Sequence, residues 1–272
     1  MSNDPFTQFE HRGWQRVAGK YDSTWASSTR QFIPPLLEAA RVGKEMTVLD
    51  LGCGPGYVAA AAAERGAHPV GLDFSSEMIA IAREKFPEIE FREGDAQELP
   101  FAGATFDCVL ANFALLHLSN PERACTEAAR VLRSGGRFAF TTWARKEENP
   151  FVQLVDDAVQ AHADLSFELP PGPPFYLFEN EEEFRRALLR AGFDGTTMSF
   201  RVHRIAWRVP SADFLFDAEC NAGVRTAGLL AKQTSETLEA IKREMQSAIQ
   251  QYAQGDGSFA IPKAAYVVAA AK

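Results

Sequence analysis

From Thr47 to Trp143 the chain alternates short apolar or β-branched runs with stretches whose apolar residues recur at helical spacing. The runs "TVLDLG" (47–52), "HPVGLD" (68–73), "IEFREGD" (89–95), "FDCVLAN" (106–112) and "GRFAFTTW" (136–143) predict strands. Between them, helices are predicted at Ala59–Arg65, stopping at Gly66, at Ser76–Lys85, stopping at Pro87, and at Glu122–Leu132, stopping before Gly135 and Gly136. Strands alternating with helices mean a parallel sheet with crossover helices, hence an α/β fold. No motif recurs, so this is alternation and not a repeat array.

After Trp143 the rhythm breaks. A helix near 150–163 runs into "LPPGPPFYLF" (169–178), whose prolines end any helix. A helix at 181–193 and a strand near 196–208 restore the pattern, a second helical excursion fills 211–254, and "AAYVVAAA" (264–271) is a last strand. Ahead of the sheet, helices are expected at 8–19 and 28–42. No linker is long or polar enough to divide the chain. The expectation is one domain over 1–272, with an N-terminal helical cover (1–46) and two lid insertions, 145–180 and 211–256.

Composition narrows the partners. With 46% hydrophobic residues the chain can bury a full core, and a net charge of −8, with its Lys and Arg scattered, supplies no field for a nucleic-acid backbone. Cys53, Cys108, Cys125 and Cys220 have neither metal-ligand nor disulfide-framework spacing, so no metal site is expected and free thiols in a reducing cytoplasm fit best. The N-terminus lacks the pattern of a secretion signal, and no apolar run approaches the ~20 residues that span a bilayer. A monomer or homodimer acting on a small molecule is expected.

The chemistry gathers at the strand ends. Gly52, Gly54 and Gly56 follow the first strand, where glycines let backbone turn sharply and approach a nucleotide cofactor. Asp50, just ahead of them, would repel a pyrophosphate and welcome an amino group. Asp73 ends the second strand, the place of a ribose-binding acid, and Asp95 ends the third, within reach of an adenine amine. Amine, ribose and adenine together describe S-adenosylmethionine. The structural alternatives are a tight turn at the glycines, a core role for Phe74 and Met78, and a loop-orienting role for His117.

On these residues the chain resembles the class I S-adenosylmethionine-dependent methyltransferases, nearest the ubiquinone/menaquinone-biosynthesis-like (methyltransferase type 11-like) group. "VLDLGCGPG", "GLDFSSEMI", "GDAQELPF", "FDCVLANFALLHL" and "RVLRSGGRFAFTTW" carry the likeness in order over 47–143. The resemblance implies a Rossmann-like doubly wound sheet of seven strands, mostly parallel with the last antiparallel and helices on both faces. It also implies that Asp50 holds the methionine ammonium, that Gly52, Cys53, Gly54 and Gly56 pass its tail, and that Asp73 binds the ribose. Phe74 and Met78 would pack on the adenine, Asp95 and Ala96 read its edge, and Asn112, Phe113 and His117 lie near the sulfonium, with Tyr21 as a cover.

Methyl transfer needs positioning and dryness more than acid catalysis, because the departing thioether is neutral. A base is needed only for an acceptor that must lose a proton, and His117, His162, His203 and Tyr176 stand in the sequence with no evident carboxylate partner. His117 is the one weak catalytic candidate. Competing readings are an NAD(P)-dependent dehydrogenase, a nucleic-acid amino-methyltransferase, which would carry Pro-Pro where this chain has "NFAL", and a non-catalytic cofactor-binding regulatory or interaction protein. Phe175, Tyr176, Phe178, Phe214 and Phe216 in the lids point to a small apolar or aromatic acceptor.

Overall fold

The computed structural model describes residues 4–272. Three helices precede the sheet: α1 (Pro5–Val17), capped by the Asp4 carboxylate on the Thr7 amide, α2 (Ala26–Thr29) and α3 (Ile33–Ala39). The single helix expected over 28–42 is thus divided, with a 3-10 turn at Arg30–Phe32. Pro34 and Pro35 cause the break, since residues without an amide hydrogen fit only a helix's first turn. Then come β1 (Thr47–Leu51), α4 (Tyr57–Glu64), β2 (His68–Asp73), α5 (Ser76–Lys85), β3 (Glu90–Glu93), β4 (Phe106–Asn112), α6 (Pro121–Val131) and β5 (Leu132–Trp143). β3 stops at Glu93, so Asp95 lies in the loop beyond its end. Gly135 and Gly136, expected to separate helix from strand, lie inside β5, where a bulge shifts the pairing between Phe106↔Leu132 and Cys108↔Arg137.

The strands form one seven-stranded sheet in the order β3-β2-β1-β4-β5-β7-β6, where β6 is Ser199–Val209 and β7 is Phe259–Ala271. β1 to β5 run parallel, and β7 runs antiparallel to both its neighbours, as the resemblance implies. β1 has β2 on one side and β4 on the other. The crossovers leave it in opposite directions, which opens a crevice at the carboxyl ends of these strands. Alternate residues face opposite layers. Leu49, Leu51, Phe138 and Phe140 pack towards Ala128, Phe184 and Leu188, whereas Val48, Leu110 and Ala139 pack towards Leu36, Leu37, Val58 and Ala62.

The remaining helices are α7 (Pro150–His162), α8 (Glu181–Arg190), α9 (Phe214–Ala222), α10 (Arg225–Leu230) and α11 (Ser235–Ala248). β7 begins at Phe259, ahead of the start expected at 264. The earlier start includes Pro262, which a strand tolerates only where one side needs no amide donor. That condition holds here, because β5 pairs with β7 only over 265–271, and Pro262 pairs across from Ala206 of β6 alone. This overhang of β6 and β7 carries a second core: Trp207, Val209, Phe259 and Ile261 pack with Trp25, Phe151, Leu215, Ile241 and Met245. Phe214 and Phe216 belong to that core, and Phe178 to the main one against Phe140. No described helix is long and apolar enough to cross a membrane.

Candidate functional site

The crevice at the strand ends is closed over by the helices on the overhang, leaving a cavity of about 460 Å³. On one side it is lined by the glycine loop after β1 and the residues following β2, β3 and β4. On the other it meets Trp14, Trp25, Phe151, Val155, Phe175 and Tyr176. Of the residues singled out in the sequence, Tyr21, Gly52, Cys53, Gly54, Asp73, Phe74, Met78, Asp95, Ala96, Asn112, Phe113 and His117 all line it. Asp50 and Gly56 are not part of the lining and stand behind the loop.

The loop is held by its own backbone. The amides of Gly52 and Cys53 both donate to the Leu72 carbonyl (2.7 and 3.0 Å), and the Gly54 amide donates to Asp73 Oδ2 (2.8 Å). All three glycines have positive φ, but their surroundings differ. A Cβ on Gly52 would overlap Ala114 and one on Gly56 the Phe91 ring, so packing excludes side chains there; at Gly54 a Cβ would meet nothing within 4 Å. Gly54 therefore borders the open space of the cavity, and the other two are glycine for reasons of fold.

Asp50 is fully buried, with Oδ2 accepting from the Ala59 amide (3.0 Å) and Oδ1 without any partner. Burial pushes its carboxyl up to about 7, against the Ala59 bond and with the aid of the nearby Asp73 charge. Asp73, also buried, accepts from Gly54 and Ser75 amides, and burial leaves it at about 6 despite them. Asp95 Oδ1 accepts from the Gln97 amide (2.8 Å) in the loop past β3. Phe113 has φ +56 and stacks on Trp143 at 4.0 Å between ring centres, and both rings line the cavity. Tyr21 bonds Thr29 Oγ1 through its hydroxyl (2.8 Å), and burial pushes that phenol up to about 12.

The absence of a carboxylate beside the histidines does not hold. His117 Nδ1 lies 3.0 Å from Oε2 of Glu10, a fully buried side chain on α1, and Glu10 Oε1 accepts from Arg225 Nε on α10 (2.7 Å). Burial raises the Glu10 carboxyl, but His117 and Arg225 outweigh it and hold Glu10 below its ordinary value. Nothing local in the sequence marks Glu10, which lies 107 positions from its histidine. His162 is 3.7 Å from Glu244, and His203 packs on Phe32; neither lines the cavity.

A second buried group was not foreseen. The Lys263 ammonium, with no hydrogen-bond partner, is ringed by Phe151, Trp143, Trp207 and Trp25 at 4.0, 4.2, 4.4 and 5.4 Å from their ring centres. Burial pushes it down to about 7, against the pull of Glu219.

Known proteins place this arrangement. A family profile described as a methyltransferase domain matches residues 49–140. The demethylmenaquinone methyltransferase of Renibacterium salmoninarum is 33% identical over 139 residues, half of this chain and 59% of that protein. The same enzyme of Beutenbergia cavernae is 30% identical over 188 residues, 69% of this chain and 73% of that protein. Among solved structures, the [4+2]-cyclase SpnF superposes with a TM-score of 0.64 at 20% identity, covering 99% of this chain and 97% of its own, a likeness of fold. The chain belongs to the class I S-adenosylmethionine-dependent methyltransferases, in the group of the ubiquinone and menaquinone biosynthesis enzymes.

Proposed function

We propose that this protein transfers a methyl group to a small, apolar or aromatic acceptor, the leading class being one like the demethylmenaquinone in its relatives' names. The observation that carries the reading is the two-sided cavity. Its strand-end side holds acids, amides and the open face of Gly54, and its other side is largely aromatic and apolar, with Asp156, Gln160, Glu219, Arg225 and Thr226 set among the rings. The cofactor fits the residues present: Asp50 Oδ1 is an orphaned buried acceptor suited to an ammonium, and Asp73 keeps lone pairs for ribose hydroxyls beyond its two amide bonds. Phe74 and Met78 would flank the adenine, Asp95 and Ala96 meet its edge, and Asn112, Phe113 and His117 border the reacting end, with Tyr21 above.

When bound, S-adenosylmethionine supplies a methyl group activated by its sulfonium. The chain supplies alignment and dryness. The segments at 145–180 and 211–256 act as lids, placing Phe151, Phe175 and Tyr176 over the cavity and excluding water, which favours a reaction that disperses charge. Calorimetry with S-adenosylmethionine and its demethylated product tests the cofactor half. Binding is expected for the wild type and its loss for Gly54→Val, whose branched side chain would occupy the open space at Gly54. Transfer of labelled methyl to a demethylated naphthoquinol, compared with ethanolamine and glycine, tests the acceptor half. Labelling of only the polar amines would overturn it.

A further inference from the structure

The residues around His117 come from parts of the chain remote in sequence, yet they form one connected set. Glu10 on α1 is fully buried and uses both oxygens: Oε2 on His117 Nδ1 (3.0 Å) and Oε1 on Arg225 Nε (2.7 Å). Arg225, at the start of α10, also donates to the carbonyls of Leu116 (2.6 Å) and Pro173 (3.1 Å), and its guanidinium lies over the rings of Phe6 and Phe175. A guanidinium can only donate, so it fixes Glu10 as an ionised acceptor. The proton in the bond to His117 must then sit on Nδ1, and in the neutral imidazole Nε2 is left as the basic nitrogen. Among the described residues nothing hydrogen-bonds Nε2, His117 bonding through Nδ1 alone, and His117 lines the cavity with its ring edge-on to Trp14 at 4.8 Å.

Resting on the methyltransferase reading, we propose that His117 is the general base for a hydroxylated aromatic acceptor, with Glu10 and Arg225 as positioning residues that set its tautomer. The acceptor's O–H proton passes to Nε2, the electron pair of that bond stays on the acceptor oxygen, and the Glu10 carboxylate balances the imidazolium that forms. The proton leaves to solvent after product release. Arg225 belongs to the 211–256 segment and Pro173 to the 145–180 segment, so the hydrogen bonds that orient the base join both segments to α1. The charges bearing on the imidazole are Glu10 from α1, Arg225 from α10 through Glu10, and Asp73 from the end of β2. The other groups packed on it, Trp14 and Phe175, are uncharged rings.

The test uses the full chain with S-adenosylmethionine and a series of ring-substituted 1-naphthols of falling hydroxyl pKa. His117→Gln should slow methylation of the least acidic naphthols by about 10²- to 10⁴-fold. The loss should shrink for nitro-substituted naphthols, which arrive already ionised. Arg225→Met should shift the pH profile of kcat, and Arg225→Lys, which keeps the charge beside Glu10, should restore it. Independently of any acceptor, nitrogen-15 spectra of labelled histidine should place the neutral-state proton of His117 on Nδ1, and Glu10→Gln should disturb that preference. Calorimetry of cofactor binding by each variant separates loss of the base from failure of the methyltransferase reading. A uniform loss across the naphthols, no naphthol methylated by a cofactor-bound wild type, or the proton on Nε2 would each overturn the proposal.

Discussion

Asp50 and Asp73 stand on either side of one glycine loop with their carboxyls pushed up by burial to about 7 and about 6. Raised carboxyl values mean that the folded protein holds protons the unfolded chain would release. Their stabilising effect is complete below the ordinary value of 3.8 and is lost as pH rises towards 7. On the proposed placement of the cofactor, with its ammonium at Asp50 and its ribose at Asp73, binding reverses this by favouring the ionised forms. Cofactor binding is therefore expected to release protons, to tighten as pH rises from about 5 to about 7.5, and to widen the melting-temperature gap between bound and free protein over that range. Calorimetry in buffers of different ionisation enthalpy measures the protons directly, and uptake instead of release would contradict the assignment of these acids. Both residues were legible in the sequence because the ends of parallel strands are where an α/β sheet gathers its ligands. Glu10, Arg225 and Lys263 were not, since no short-range pattern distinguishes a charge that will be buried against partners tens to hundreds of positions away.

At the scale of elements, β1 to β4 were readable to within two residues, because apolar alternation and glycine stops are local signals, whereas β5 starts at Leu132, four residues ahead of the expected 136. What escaped depended on neighbours: the early start of β7 through Pro262 is allowed only because β5 ends short of it. Lys263 follows that proline and places an ammonium among four aromatic rings with no hydrogen bond. Cation–π attraction is worth about 0.5–2 kcal/mol a contact, whereas burying an unpaired charge costs several. Desolvation outweighs it, in keeping with the ammonium at about 7. Since that lies below the unfolded value of 10.5, wild-type stability should rise between about pH 7 and 10.5. Lys263→Met should match or exceed wild-type stability at pH 7 and lose that alkaline rise in urea titrations. A Met variant weaker by more than about 1 kcal/mol would mean that the rings hold the cation at net gain.

For the molecule as a whole, the segments 145–180 and 211–256 and the first helix enclose the cavity from three directions. The segment 165–172 is the least covered part of that enclosure, with Leu165 and Phe167 exposed by 47% and 41%, and Leu165 lining the cavity as well. Limited proteolysis should cut here first in the free protein and more slowly when cofactor and an aromatic acceptor are both present. Unchanged cleavage would separate this segment from ligand enclosure. The cover itself was only partly legible. Phe175 and Tyr176 reach the cavity as their composition suggested, but Phe178, Phe214 and Phe216 serve the cores beneath.

The strand order also imposes a timetable. Among the described residues β6 pairs with β7 alone, and β7, at residues 259–271, is the bridge joining it to β5. While the chain is still being made, β1 to β5 can assemble around the glycine loop as soon as they emerge from the ribosome. β6 must wait until β7 slides into the gap. The helices hung on the overhang wait with it, so half of the binding site stands without its roof until β7 is in place.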